Sequence, residues 1–568
     1  MKKQRKTLWG YLFLALSLSL LVACSDKEEA GKPAEPAKEL TIVNGKIDPP
    51  VPLTMVRSED PTITFKNGEN YMDNVHLRWA KDALGVEIKT LWTASSLDYD
   101  TKLKLMLSSG DKMPDLFVAY ASQSNTINTF IDSGKLLDVS EAFDKYASDT
   151  WKAALAEEPT SWYPFIKDGK KFAIPVLRPT AGSQSTLWIR QDWLDKLKLK
   201  APTNLEELEK IMDAFVNLDP DGNGKKDTVA LELAMKDQVV GSPVGDTSWF
   251  FGMFGAIPER WYPGADGKLK YGSVQPEVKA GLSKLNEWMN KGYIASDIAL
   301  HDFNKVSENV ASGKVGMLGG ESWMMSYPGS LLLASDPKAY YNPYPIPQGV
   351  DGKNMRTIAD PYTSAILINK DISEEALQAF FHYQNALYEA YNSDEPTPLK
   401  AFQEGYDYVI ENGKASMDES KITGGKVGTA KYTLTGADTI YPSRILEASL
   451  KMAKNEKLTN QDLAALSIRG VIGNDVSDPI SAFTSNALLV TMEQKDADIP
   501  EYFQGPSTKT MLSRQELLNK MQMDTYIEII YGKKPIDEFD SFVAKWRSSG
   551  GDNIIKEVNE WYDTVKHQ

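Results

Sequence analysis

The chain has 568 residues, enough for more than one folding unit at about 100–200 residues each. Apolar residues are 42%, charged residues 25% and aromatics 10%, which excludes a disordered chain, a collagen repeat or a disulfide scaffold. The 78 Asp and Glu against 63 Lys and Arg leave a net charge of −15, a sign that repels phosphate backbones and argues against a nucleic-acid partner. Four histidines and one cysteine remove most Cys/His zinc sites and any intramolecular disulfide.

Residues 1–23 place Lys2, Lys3, Arg5 and Lys6 ahead of an apolar run from Leu8 to Ala23, the pattern of a secretory signal. The run is short for a membrane span, and no stop-transfer pattern follows it. Losing these four charges takes the net charge from −15 to −19. The run ends Leu21-Val22-Ala23-Cys24, which resembles the lipobox of bacterial lipoproteins. The resemblance implies that the Cys24 thiol carries a diacylglyceryl group, and two acyl chains anchor stably where one anchors marginally. Residues 24–38 then read as a polar, Pro-containing tether.

From residue 39 short apolar runs alternate with amphipathic stretches. Strands are predicted over 53–58, 86–92 and 114–120, with helices over 74–84 and 101–109, each ended by a glycine. Such alternation implies a mostly parallel sheet covered on both faces, with ligands at the carboxyl ends of its strands. That selects the loops carrying Ser58, Glu59, Tyr120, Ser122, Gln123 and Asn125. A second α/β region begins near 185. There Thr203, Asn204, Leu205 and Glu206 read as a capping box opening a helix with Leu208, Ile211, Met212 and Phe215 on its apolar face. A helix over 276–292, a strand over 314–320 and a mainly helical C-terminal quarter complete the pattern, with no solenoid or propeller repeat.

Segments 102–117, 168–175, 187–197, 219–227, 313–323 and 539–562 together resemble one family, the extracellular solute-binding lipoproteins of bacterial ABC importers. They are most similar to its large Gram-positive oligosaccharide-binding type, with alginate-binding proteins as cousins. The resemblance implies a two-lobed α/β fold, like that of periplasmic binding proteins (type II), with a hinge crossed several times near 184–190, 358–365 and 395–440. The lobes expected from it are 39–185 with 358–405, and 186–357 with 406–568. The implied partners are an oligosaccharide, the importer's permease subunits and the membrane through the lipid anchor, for a monomeric receptor on the outer face of the cell. A receptor for another solute such as a peptide remains open, and so does a secreted carbohydrate-active enzyme. Metalloprotease HExxH, esterase GxSxG and Walker-type motifs are absent, and His76, His301, His382 and His567 share no ligand-like spacing. A glycosidase carboxylate pair depends on spatial separation and is not legible in sequence.

Sugar rings pack on aromatic planes and need fixed polar partners for their hydroxyls. Trp249 and Trp323 fall in or beside loops, and relatives place a stacking Trp at the position matching Trp323; each is either a stacking platform or a core filler. Trp188 and Arg190 flank the first expected crossing, where Arg190 either faces the ligand or forms a salt bridge. Trp79, Trp193, Trp546 and Trp561 sit at apolar helical positions and read as core.

Residues 219–227 read Asp-Pro-Asp-Gly-Asn-Gly-Lys-Lys-Asp. Asp219, Asp221, Asn223 and Asp227 take positions 1, 3, 5 and 9 of a calcium loop, the Lys225 carbonyl takes position 7, and Gly224 takes the sharp turn at 6. Hard oxygen donors at this alternation suit a structural Ca²⁺ better than Mg²⁺. Relatives carry a calcium loop at the matching place. Two departures stand out: position 12 is Ala230 instead of Glu, and 228–233 continues as a strand. The remaining ligands have to come from a bidentate Asp227, the Thr228 region, water or another segment.

Overall fold

The computed structural model describes residues 40–567 apart from 61–62, 111, 179, 237, 393–402, 413, 417–418, 437–440, 460, 463–464 and 467–478. Cys24, the signal segment and the tether lie outside the described residues. Among those described, nine strands build the two main sheets: β1 (Val51–Glu59), β2 (Val86–Ser95), β3 (Leu116–Tyr120), β4 (Ile174–Leu177), β5 (Thr186–Arg190), β6 (Val229–Glu232), β7 (Val315–Gly320), β8 (Tyr341–Tyr344) and β9 (Tyr362–Ile368).

The first sheet has the order β2-β1-β3-β9-β4, parallel across β2-β1-β3 and antiparallel on both sides of β9. The second has the order β6-β7-β5-β8, with only β6 and β7 parallel. Both are thus more mixed than the alternation of elements implies. The reason is that β5 and β9 each enter their sheet from the other body rather than through a local crossover helix.

Each sheet is buried on both faces, which is why its strands read as continuous apolar runs. Leu53, Met55, Leu116 and Val118 pack with Trp151, Phe380 and Leu387. The alternate side chains Val56, Phe117 and Ala119 point the other way onto Tyr99, Leu103 and Phe130. In the second sheet Leu187, Ile189 and Met317 meet Phe215 and Leu282, while Trp188, Leu318 and Tyr341 meet Val306 and Val310.

Local signals set the helix ends. The Asn74 side chain accepts from the N–H groups of His76 and Leu77 to open the helix Val75–Leu84. Gly85 closes it at φ 70°, and a Cβ there would lie 2.1 Å from the Ile47 carbonyl oxygen, so both conformation and space call for glycine. The cap of Leu205–Asn217 falls one residue later than the sequence pattern suggests. Asn204 accepts from the Glu207 N–H at 3.0 Å, and Glu207 reaches back to the Thr203 N–H at 2.8 Å, because Asn caps as well as Thr.

The chain passes from the first core to the second between β4 and β5, and returns between Thr357 and β9. A third passage lies between Leu466 in the first core and Ala487 in the second. The helix Pro479–Glu493 bridges Pro442–Ala453 on one side and β8 on the other. Here the packing differs from the expected allotment of all of 406–568 to the second lobe. Tyr408, Leu434, Ile445, Ala448 and Met452 belong to the first core. One cause is long-range: buried Arg57 on β1 donates to the carbonyls of Lys431 (3.1 Å), Tyr432 (2.9 Å) and Thr433 (2.7 Å), and so pins this segment to the first sheet.

A buried pair ties the three passages together. Arg356 is 0% exposed; its Nε donates to Asp498 at 2.7 Å, and its terminal nitrogens donate to the carbonyls of Ser185 (3.0 Å) and Thr491 (2.9 Å). Gln184 donates to the other Asp498 oxygen at 3.0 Å. Residues within or flanking the three passages meet on these two side chains.

Candidate ligand-binding site

The parallel strands of both sheets end toward the passages. Tyr120 ends β3 opposite Ser364, and β4 ends at Leu177 opposite Tyr362, where β9 begins. In the second sheet β7 ends at Gly320 opposite Thr186. Loops at the carboxyl ends of strands therefore frame the junction of the two bodies, the usual place for a ligand in such folds.

The first sheet brings Glu59, Tyr120 and Gln123 to this rim. Glu59 accepts from the Thr93 hydroxyl. Tyr120 is 39% exposed, and its backbone N–H donates to Gln123 Oε1 at 2.9 Å. Burial of the phenol raises the Tyr120 pKa against a hydrogen bond with Ser58, so the hydroxyl stays protonated. From the second sheet comes Trp323, half-buried just past β7, with its indole N–H donating to Glu321 at 2.6 Å and its ring beside Phe303.

Trp188, Arg190 and Trp249 lie elsewhere. Trp188 is 0% exposed and donates to the Gly320 carbonyl at 3.1 Å. Arg190 sits at the far end of β5, gripping Asp192 with two bonds of 2.8 and 2.7 Å and the Gly313 carbonyl at 2.8 Å, its plane over Trp193. Trp249 is also 0% exposed, donating to the Asp246 carbonyl at 2.9 Å. Each is enclosed by packing that the sequence pattern does not reveal. Glycine in β7 makes room for Trp249: a Cβ on Gly319 would lie 2.3 Å from its indole nitrogen.

Sequence reasoning missed a polar cluster at the junction. Arg178 follows β4, Asp360 precedes β9, and Arg260 and Glu501 come from the second body. The charges of Arg178 and Arg260 both act on Asp360, whose pKa burial pushes up. Asp360 Oδ1 is buried without a hydrogen-bond partner. Glu501 accepts from the N–H groups of Phe503 (2.9 Å) and Trp261 (3.3 Å), with Arg260 3.8 Å away. Glu158 accepts from Thr180 at 3.2 Å, and burial raises its pKa to about 6. Half-buried Tyr163 lies near Tyr502, which follows Glu501 in the chain. These groups lie far apart in the chain, and only Asp360, inside the crossing expected at 358–365, had a local pointer.

Burial lifts Glu501 from its ordinary 4.5 to about 8, more than Arg260 pulls it down. The folded state thus holds this proton more tightly than the unfolded chain does. The resulting stabilisation is full below pH ~4.5 and is lost as pH rises through ~8. Unfolding free energy measured by denaturant titration is expected to fall from pH 5 to pH 9, and Glu501→Gln to flatten part of that fall. An unchanged slope in the variant would place the proton on another group.

Three of the four histidines are engaged away from the rim: His76 with the Tyr383 hydroxyl, His301 with Glu232 and Asp297, His382 with the Gly45 carbonyl. Among the described residues no three acidic, His or Cys side chains converge to hold a metal. In the 219–227 loop, Asn223 donates to Asp221 at 2.7 Å and to Asp227 at 2.9 Å, Lys314 pairs with Asp227 at 2.8 Å, and the Gly224 N–H donates to Asp219 at 3.0 Å. Asp219 Oδ1 is buried with no partner. The donor set is all oxygen and fits a hard cation, with the Asn223 amide donating to Asp221 and Asp227 and Lys314 pairing with Asp227.

Residues 64–385, more than half of the chain, match the model of the bacterial extracellular solute-binding protein family. The chain belongs to that family. Its relatives include the fructooligosaccharide ABC transporter substrate-binding protein FusA of Streptococcus pneumoniae serotype 4, 26% identical over 311 residues. That match spans 52% of this chain and about half, 53%, of FusA. The lipoprotein LipO of Bacillus subtilis (strain 168) is 22% identical over 575 residues, covering both chains in full. Among solved structures, the alginate-binding protein AlgQ2 without calcium ion superposes with a TM-score of 0.57 at 16% identity, covering 92% of this chain and 100% of its own. The fold is the two-lobed α/β fold of solute-binding proteins.

Proposed function

We propose that this solute-binding protein captures an oligosaccharide between its lobes and delivers it to the permease of an ABC importer. The observation that carries this reading is the junction itself. It combines aromatic faces (Tyr120, Tyr163, Trp323, Tyr502) with polar groups whose hydrogen-bonding capacity is incomplete, which is what a ring of hydroxyls on an apolar plane requires. The name of FusA supports the ligand class. The lobes divide as the two cores do, with Tyr408, Leu434 and the helix Pro442–Ala453 in the first. Catalysis has no part in this reading: the solute is bound and released unchanged.

Trp323 offers a ring face, with Glu59, Tyr120 and Gln123 as polar contacts from the opposite lobe. Stacking adds about 0.5–1.5 kcal/mol beyond the area buried, so Trp323→Ala is expected to weaken sugar binding at least ~tenfold. Calorimetry against an oligosaccharide panel reads this, with melting temperature without ligand as the control. A large loss of stability at unaltered affinity would make Trp323 a packing residue.

The protein is held on the outer face of the membrane by lipid on Cys24, and the name of LipO supports this location. A structural Ca²⁺ sits on Asp219, Asp221, Asn223, the Lys225 carbonyl and Asp227, with the partnerless Asp219 oxygen as the supporting observation. Calcium is expected to raise the melting temperature and chelation to lower it. Asp219→Ala with Asp221→Ala should abolish the difference and leave sugar affinity nearly intact. A melting temperature indifferent to both reagents, with no metal by elemental analysis, would remove the site.

A further inference from the structure

We propose that Asp246 is a positioning residue for the ligand site: it ties the 239–244 loop to two of the passages between the lobes, and through that loop it sets the Trp323 ring. The inference rests on the oligosaccharide reading and adds to it how hinge closure assembles the binding face.

Asp246 lies in the turn ahead of the short helix Ser248–Gly252 and is 2% exposed. Its two oxygens share three donors. Oδ1 accepts from the Gly241 N–H at 2.8 Å and so closes the loop on itself. Oδ2 accepts from the Ser185 hydroxyl at 2.7 Å and from the Ser248 hydroxyl. Ser185 stands in the first passage, between β4 and β5, and its carbonyl accepts from Arg356 at 3.0 Å. Ser248 accepts in turn from the Thr357 N–H at 3.1 Å, where the second passage begins. The backbone of this turn is anchored separately, since the N–H groups of Gly245 and Asp246 both donate to the Gly319 carbonyl of β7, at 2.8 and 3.2 Å. It is the side chain that carries the link to the passages.

The other side of the loop meets the ring. The Pro243 carbonyl accepts from the Glu321 N–H at 2.9 Å, Val244 bridges to Gly320, and the Glu321 carboxylate accepts from the Trp323 indole at 2.6 Å. Between them the Ser322 N–H donates at 3.0 Å to the carbonyl of Gly182, again in the first passage. Gly182 has φ 85°, and a Cβ there would lie 2.5 Å from Ser322 Oγ, so this close approach calls for glycine. A contiguous run of hydrogen bonds therefore connects passages and ring. In a desolvated network each bond supports the next, and a buried acceptor that loses its donor is costly, so the group keeps its partners by moving with them. When the lobes rotate about the passages, Ser185 and Thr357 shift, and Asp246 keeps its donors only if the loop follows. A solute that stacks on Trp323 then favours one hinge state, and that state binds it more tightly.

The test uses the whole protein. Ser185→Ala cuts the bond to the first passage, and Ser248→Ala cuts the bond to the second, each with little change in volume. Without ligand, either change is expected to speed hydrogen exchange at the Gly241 and Glu321 amides at least ~tenfold. With ligand, the probes are neutral fructan, galactan and xylan oligomers read by calorimetry, and either change should weaken the tightest of them at least ~fivefold. Trp323→Phe keeps a ring but cuts the bond to Glu321. In that background Ser185→Ala should cost no more than about twofold further, because the path to the ring is already broken. Melting temperatures without ligand check that the variants fold. A purely local role confines faster exchange to the neighbours of the altered serine and makes the losses in affinity additive with Trp323→Phe; either result overturns the inference and leaves the oligosaccharide reading intact. If no oligomer binds the unaltered protein, that reading is overturned, and the exchange result alone decides whether Asp246 couples the loop to the passages.

Discussion

Arg356→Leu is expected to destabilise the folded protein by about 3–5 kcal/mol, the cost of breaking a buried pair from one side. Arg356 has no exposure, while Asp498 keeps 12% of its side chain in solvent. Removing the guanidinium leaves the Asp498 charge supported by Gln184 alone and strips the carbonyls of Ser185 and Thr491 of their donor. Leucine fills part of the volume but satisfies none of these groups. Because the three segments that meet here contain or flank the three passages between the cores, the loss should not stay local. Chemical denaturation read by tryptophan fluorescence measures it, and the double variant with Asp498→Asn should recover a good part, since the orphaned charge is then gone. A loss below ~1 kcal/mol for the single variant would mean that water replaces the guanidinium and that the passages are held by other contacts.

Trp249→Ala is expected to cost a similar amount, about 3–5 kcal/mol, in stability and little in affinity. The ring is enclosed by the second core, edge-on to Phe250, and close against Gly319 of β7. Truncation removes the transfer free energy of a large aromatic, opens a cavity that the rigid strand closes poorly, and leaves the Asp246 carbonyl without its donor. Binding measured well below the new melting temperature should stay within about twofold of the unaltered protein. A collapse of sugar affinity with stability preserved would instead return Trp249 to the ligand.

These two residues mark where reading the chain succeeds and where it stops. Helices and strands of the first 120 residues follow directly from apolar periodicity, Asn caps and terminal glycines, because those signals act within one turn or one pleat. The strand ends that follow from them carry Glu59, Tyr120 and Gln123. Trp188 and Trp249 illustrate the opposite case. A tryptophan beside a loop looks the same in sequence whether it faces a ligand or the back of the next strand, and Gly319 and Gly320, 70 and 71 residues beyond Trp249, decide the matter. Arg190 was equally ambiguous until Asp192 claimed it.

What the amino-acid order determined alone is whatever short-range chemistry can encode: a basic and then apolar run closing on Leu21-Val22-Ala23-Cys24, two α/β regions, the spacing of oxygen donors in 219–227, and the lack of catalytic motifs. Tertiary structure alone decided that Tyr408, Leu434, Ile445, Ala448 and Met452 rejoin the first core, that Arg356 and Asp498 bind three distant segments together, and that Arg178, Arg260, Asp360 and Glu501 share one junction. The physical reason is the same in each case. Burial and charge act through space, so a guanidinium's partner, or its lack of one, depends on residues that can stand hundreds of positions away.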